Sequence, residues 1–153
     1  MDQLLRALCF KPKLMKIRLG KKEDSNAIKA IDSSIGSDPN RAELIDLSLH
    51  QGTVRIATYD SNILGYSIVN YSFFHRAPRE MLMVAETRRG KGIGRALLRE
   101  AQTSMGENCE LWTSTNESNK LMQSLLESEG FELTGKIENL DPGDPELVYF
   151  KKL

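Results

Sequence analysis

The chain has 153 residues, 40% hydrophobic and 27% charged, with 21 basic and 21 acidic side chains in balance. That length suits one domain able to bury roughly two-thirds of its unfolded surface without staples. Zero net charge disfavours a nucleic-acid binder or a membrane-surface protein, so neither is an expected partner and any charge recognition is local.

Residues 2–14 place Leu4, Leu5 and Leu8 on one face of a short amphipathic helix. They form an N-terminal extension to a domain over 15–153 and lack the apolar stretch and cleavage site of a signal peptide. Lys16–Leu19 alternates as a strand and Gly20 ends it. Asp24 or Ser25 can cap a helix whose apolar positions Ala27, Ile28, Ile31 and Ile35 recur at helical spacing. A break at 37–40 precedes a second helix, Arg41–Gln51, closed by Gly52. Thr53–Tyr59 and Ile63–Phe74 are β-rich around the turn Asp60-Ser61-Asn62, which reads as a hairpin. A second break at His75–Arg79 leads to a strand at Glu80–Ala85. Gly90–Met105 is helical, with Ile93, Leu97, Ala101 and Met105 at i+4 steps. A strand at Glu110–Thr115, a helix at Ser118–Glu129 stopped by Gly130, and strands at Phe131–Ile137 and Glu146–Lys152 complete the chain. The order βααβββαβαββ predicts an α/β (α+β) domain: a mixed sheet of about seven strands flanked by about four helices.

Cys9 and Cys109 lie far apart, and neither is near His50 or His75, so no metal site is expected and the thiols fit a reducing cytoplasm. No apolar run approaches the roughly 20 residues that span a bilayer.

The chemistry-bearing segment runs from a strand through Arg89-Gly90-Lys91-Gly92-Ile93-Gly94-Arg95 into a helix. Its glycines let a ligand approach the backbone closely. The helix start offers unpaired N–H groups and the positive end of a dipole, a site for an anion such as a diphosphate. Arg89, Lys91 and Arg95 add positive charge. A P-loop would need Ser or Thr after a Gly-Lys pair, which neither Gly20-Lys21 nor Gly90-Lys91 has. A dinucleotide fingerprint would need glycine where Arg95 stands.

Arg89-x-x-Gly92-x-Gly94 instead resembles the acetyl-CoA loop of the GNAT superfamily of acyl-CoA N-acyltransferases. Asn119-x-x-Met122-x-x-Leu125-Leu126-x-x-x-Gly130-Phe131 is similar to that family's next segment, and the element order agrees over 15–153. The resemblance implies acetyl-CoA as acyl donor, with Ile93 among the loop residues that hold its pyrophosphate. It also implies a pantetheine arm along the backbone of Met83 and Val84, and a contact from Asn119 to that arm. Asn119 reads equally as a helix cap. The family's general acid is commonly a tyrosine seven residues after that asparagine, where this chain has Leu126.

An ammonium must lose its proton before attacking a thioester, so a base is required. Glu80 shares strand parity with Leu82 and Val84 and is the candidate base. It also reads as a solvated carboxylate at a hairpin end, and Pro78 occupies the position where strict family spacing puts the carboxylate. His75, Tyr71 and Glu86 are weaker candidates, and Tyr149 is a candidate acid. The loop 139–146 carries Asp141, Asp144 and Glu146, either as an acidic lip for a cationic amine or as turn chemistry alone. The expected activity is acetyl transfer to a primary amine of a small molecule or peptide, in a monomer or homodimer. The rival readings are a CoA-binding sensor without turnover and an acetyltransferase of protein N-termini or lysines.

Overall fold

Val, Ile and aromatic residues dominate 54–73, and Asp60 and Ser61 accept the left-handed backbone of a tight turn (φ 47° and 64°), so this stretch folds on itself as a hairpin. That hairpin is the centre of a computed structural model describing residues 14–74 and 77–153. The elements in chain order are β1 (Lys16–Leu19), α1 (Ser25–Ile31), α2 (Arg41–Gln51), β2 (Val54–Tyr59), β3 (Asn62–Phe73), β4 (Ala77–Val84), α3 (Ile93–Met105), β5 (Glu110–Asn116), α4 (Lys120–Ser128), β6 (Glu132–Ile137) and β7 (Glu146–Lys152). The expected order and the mixed α/β class are both observed. The N-terminal helix expected over 2–14, save Leu14, and the candidate His75 lie outside the described residues.

The seven strands form one sheet in the order β1-β2-β3-β4-β5-β7-β6, all neighbours antiparallel except β4 and β5. Helices α1 and α2 cover one face, where Ile28, Ile45 and Leu49 pack on Val54, Ile56, Tyr66 and Ile68. Helices α3 and α4 cover the other. There Ile93 and Leu97 pack on Ala57 and Leu64, and Leu98 and Leu126 pack on Leu111, Leu147 and Tyr149. A β-bulge opposite Ala57 gives Leu64 and Gly65 to one partner residue. Leu64 therefore faces α3 while Tyr66 and Ile68 face α1 and α2.

Three boundaries differ from the sequence reading by more than two residues. Helix α1 ends at Ile31 and not at Ile35, because the Asp32 carboxylate accepts from the Ser34 amide at 2.8 Å and so competes with the helix. Ile35 still packs against the same core. Strand β4 begins at Ala77, inside the expected break. Its ladder with β3 is interrupted between Asn70 and Phe73, so Pro78 lies where no pairing N–H is required. Helix α3 begins at Ile93, because Gly90 and Gly92 hold φ of 75° and 80° and cannot be helical. Helix α4 ends as expected on left-handed Gly130: the Phe131 amide reaches Leu126 O at 3.0 Å and the Gly130 amide reaches Glu127 O at 3.1 Å.

Candidate active site

Strands β4 and β5 run parallel but pair only at Arg79–Trp112 and Glu80–Thr113. Beyond Glu80 they part, so the β5-facing edge of residues 81–84 has no strand partner. Immediately after that open edge the chain makes a 3-10 turn at Glu86–Arg88, then the Gly90–Gly92 turn, and enters α3. The first bond of α3 runs from the Ala96 amide to Gly92 O at 3.1 Å, so the amides of Ile93, Gly94 and Arg95 have no helical acceptor. They stand at the positive end of a 13-residue helix. A Cβ on Gly90 or Gly92 would meet no atom of the chain within 4 Å. The glycines are thus required by their positive φ, and the space beside them is open.

A cleft of about 510 Å³ lies between β4, this loop and α4. Its lining combines the loop and helix-start residues Arg88, Arg89, Gly90, Gly92, Ile93, Gly94 and Arg95 with Leu82, Met83, Val84, Asn119, Leu121, Met122 and Leu125. It therefore brings basic and amide-bearing residues of the loop together with apolar residues of β4 and α4, within the volume range of small-molecule sites. Leu121, 79% exposed, stands on its rim. Of the residues singled out in the sequence for the coenzyme, only Lys91 is not part of the lining. Arg88, Leu82, Leu121, Met122 and Leu125 were not assigned to the coenzyme, although Met122 and Leu125 stand in the Asn119–Phe131 segment. Helical spacing from Asn119 carries the signal for Met122, and strand parity with Val84 carries it for Leu82.

The residues 50–133 match the family model described as the acetyltransferase (GNAT) domain. The chain belongs to the GNAT acetyltransferase family. Among solved structures it is similar to a GNAT-family acetyltransferase from Bacillus cereus ATCC 10987, at 29% identity over 90% of this chain and 96% of that one, with a TM-score of 0.77. It shares its fold with yncA from Salmonella typhimurium, solved with its cofactor acetyl-CoA, at 19% identity, 92% and 94% coverage and a TM-score of 0.71. It shares it also with an N-acetyltransferase from Staphylococcus aureus Mu50, at 20% identity, 90% and 98% coverage and a TM-score of 0.74. No curated protein sequence matches the chain significantly. The protein is accordingly an acyltransferase, of a family that uses acetyl-CoA.

The acetyltransferase holds its basic groups more firmly than the sequence suggests. Arg95, expected to add positive charge to the loop, is bridged from Nε to Glu129 Oε1 at 2.8 Å and donates to Ser128 Oγ at 3.0 Å. Arg99, with Arg95 beside it, holds the Glu129 carboxyl below the usual carboxylate range. Arg89 donates from Nε to Val84 O at 3.2 Å and from Nη2 to Ser33 Oγ at 3.4 Å, which ties the loop to β4 and to the α1–α2 connection. Asn119 is a helix cap and a cleft residue at once. Its Oδ1 accepts from the Met122 amide at 3.2 Å, a bond that does not use its two N–H donors.

Glu80 is not the solvated carboxylate of the alternative reading. It is 1% exposed, neither of its oxygens has a hydrogen-bond partner in the described structure, and burial pushes its pKa up to about 8. It shares the α3-facing side of β4 with Leu82 and Val84, one strand step below the cleft lining. Tyr149 is buried in the core, and its hydroxyl donates to Glu127 Oε1 at 3.4 Å; it is not part of the cleft. Leu126 is fully buried among Leu98, Leu111 and Phe131. Tyr71 and Glu86 are exposed and do not line the cleft. Among the described residues no cluster of three or more His, Cys, Asp or Glu is arranged to hold a metal, and no helix is long and apolar enough to cross a membrane.

Proposed function

We propose that the chain transfers an acetyl group from acetyl-CoA to a primary amine by direct attack within a ternary complex. The observation that carries this reading is the cleft along the open edge of β4, lined both by the basic, amide-bearing loop and by apolar side chains. When bound, acetyl-CoA supplies a thioester as acyl donor. The amides of Ile93, Gly94 and Arg95, with Arg88 and Arg89, would take the diphosphate, and Asn119, Leu121, Met122 and Leu125 would flank the arm. Backbone N–H groups of the Met83–Val84 segment would polarise the thioester carbonyl.

Glu80 is the group best suited to accept the amine's proton. Passing a proton from an ammonium of pKa near 10.4 to a carboxylate of 4.5 is uphill by about 8 kcal/mol, but to one of about 8 by only about 3 kcal/mol. Glu80 stands about 7 Å along β4 from Leu82, so the proton would reach it over one or two waters. No acid is needed on the leaving side. A thiol of pKa about 8.5 leaves as thiolate at neutral pH for about 2 kcal/mol, in keeping with a buried Leu126 and a Tyr149 turned to Glu127.

Thiol release from acetyl-CoA, followed over a panel of small amines, polyamines and peptides, tests the reading. Amine-dependent release is expected, and the preferred class identifies the acceptor as small molecule or protein. Tight CoA binding with no release on any amine would replace the enzyme reading with that of a sensor.

A further inference from the structure

The acidic connection between β6 and β7 does not form a free lip. The Asp144 carboxylate is clamped to the corner between β5 and α4: Oδ1 accepts from the Ser118 amide at 2.9 Å and Oδ2 from the Ser118 hydroxyl at 2.6 Å. Pro145 O accepts from the Glu117 amide at 2.8 Å. Asn116 Nδ2 donates to Asp141 Oδ2 at 2.7 Å and to Asp144 O at 3.2 Å. From its other side the corner is held by α4 itself, with Gln123 Nε2 donating to Glu117 O at 2.7 Å and to Asn116 O at 3.2 Å. The residue after Ser118 is Asn119, and Asn119, Leu121 and Met122 line the cleft from the start of α4.

We infer that Asp144 is a positioning residue for the arm end of the coenzyme cleft, acting through Ser118 on Asn119 and the first turn of α4. This rests on the reading that the cleft holds acetyl-CoA. Helix α4 has only nine residues, and its own side-chain cap is a 3.2 Å bond, so its start has little intrinsic rigidity. A carboxylate accepting two bonds from one residue fixes both the position and the direction of that residue. Asn119 then presents its amide to the ligand without first being ordered, and displacement of such a group by about 1 Å is enough to lose much of its contribution. Among the described residues, Arg88, Arg89 and the first amides of α3 make no bond to this corner; Arg89 bonds to Val84 O and Ser33 Oγ instead.

The effect is therefore confined to ligands that carry the arm. In Asp144→Ala the affinity for CoA should fall about tenfold, with KM for acetyl-CoA rising in parallel and kcat at saturating coenzyme within about twofold of wild type. Binding of ADP, which has the diphosphate but no arm, should be unchanged, and Asp144→Asn, which keeps one acceptor for the Ser118 amide, should recover part of the loss. Equal weakening of CoA and ADP, or no change in either, would overturn the assignment of Asp144. Wild-type protein that binds neither ligand would instead remove the coenzyme reading on which the assignment stands.

Discussion

Glu80 gives the sharpest physical consequence, because a buried carboxyl without partners links folding to pH. The unfolded chain releases this proton near 4.5 and the folded chain near 8. Between those values the folded state holds the extra proton, so Glu80's contribution to stability falls as pH rises from about 4.5 to about 8 and is constant on either side of that window. The gap corresponds to a loss on the order of 5 kcal/mol at most. Glu80→Gln keeps the shape and removes the proton. Urea unfolding of both proteins from pH 5 to pH 9 should give similar stabilities at pH 5, with the glutamine variant several kcal/mol the more stable at pH 9. In the same variant turnover should drop by about 10²–10⁴-fold, the usual worth of a positioned base, and the acidic limb of the wild-type rate profile, placed near pH 8, should vanish or move. Coenzyme affinity should barely change. Parallel stability curves for the two proteins would refute the buried, partnerless carboxyl, and full activity with an unaltered pH profile would remove Glu80 from the reaction.

Leu126→Ala should destabilise the protein by about 2–5 kcal/mol in denaturant unfolding, because Leu126 is fully buried in the α4–β7 core. Leu126→Tyr should raise turnover by less than tenfold, since thiolate departure needs only about 2 kcal/mol of help, and a hundredfold gain in a thiol-release assay would contradict this. Gly65→Ala should destabilise by about 1–3 kcal/mol or more. Its new Cβ would lie 2.7 Å from the backbone oxygen of Met83, and the resulting shift of β4 should appear as an increased KM for acetyl-CoA.

The element order was legible because left-handed glycines end helices at Gly52 and Gly130 and because apolar periodicity distinguishes Ile93–Met105 from the strands around it. The loop chemistry of Gly90–Gly94 was legible for the same local reason. The start of β4 was not, since Pro78 reads as a breaker until the interruption of the β3 ladder beside it is seen. The state of Glu80 was also hidden. Strand parity gives its face, but its burial depends on α3 packing over β4, a contact between segments distant in sequence. Arg95 reads as a free charge unless the end of α4, more than thirty residues on, is placed beside it. Asp144 reads as turn chemistry, and only the fold brings its carboxylate to Ser118. Local conformational rules were readable along the chain; long-range polar pairs were not.

If the Gly90–Gly94 turn and the first amides of α3 hold the diphosphate of acetyl-CoA, Gly92→Val should disrupt that hold. A valine at φ 80° is strained, and its side chain would enter the open space beside the loop, where no other part of the chain lies within 4 Å. Calorimetric titration of CoA into both proteins, with the fold checked by circular dichroism, should show affinity weakened at least about tenfold in the variant, or about 1.4 kcal/mol. Unchanged affinity in a folded Gly92→Val protein would take the diphosphate away from this loop.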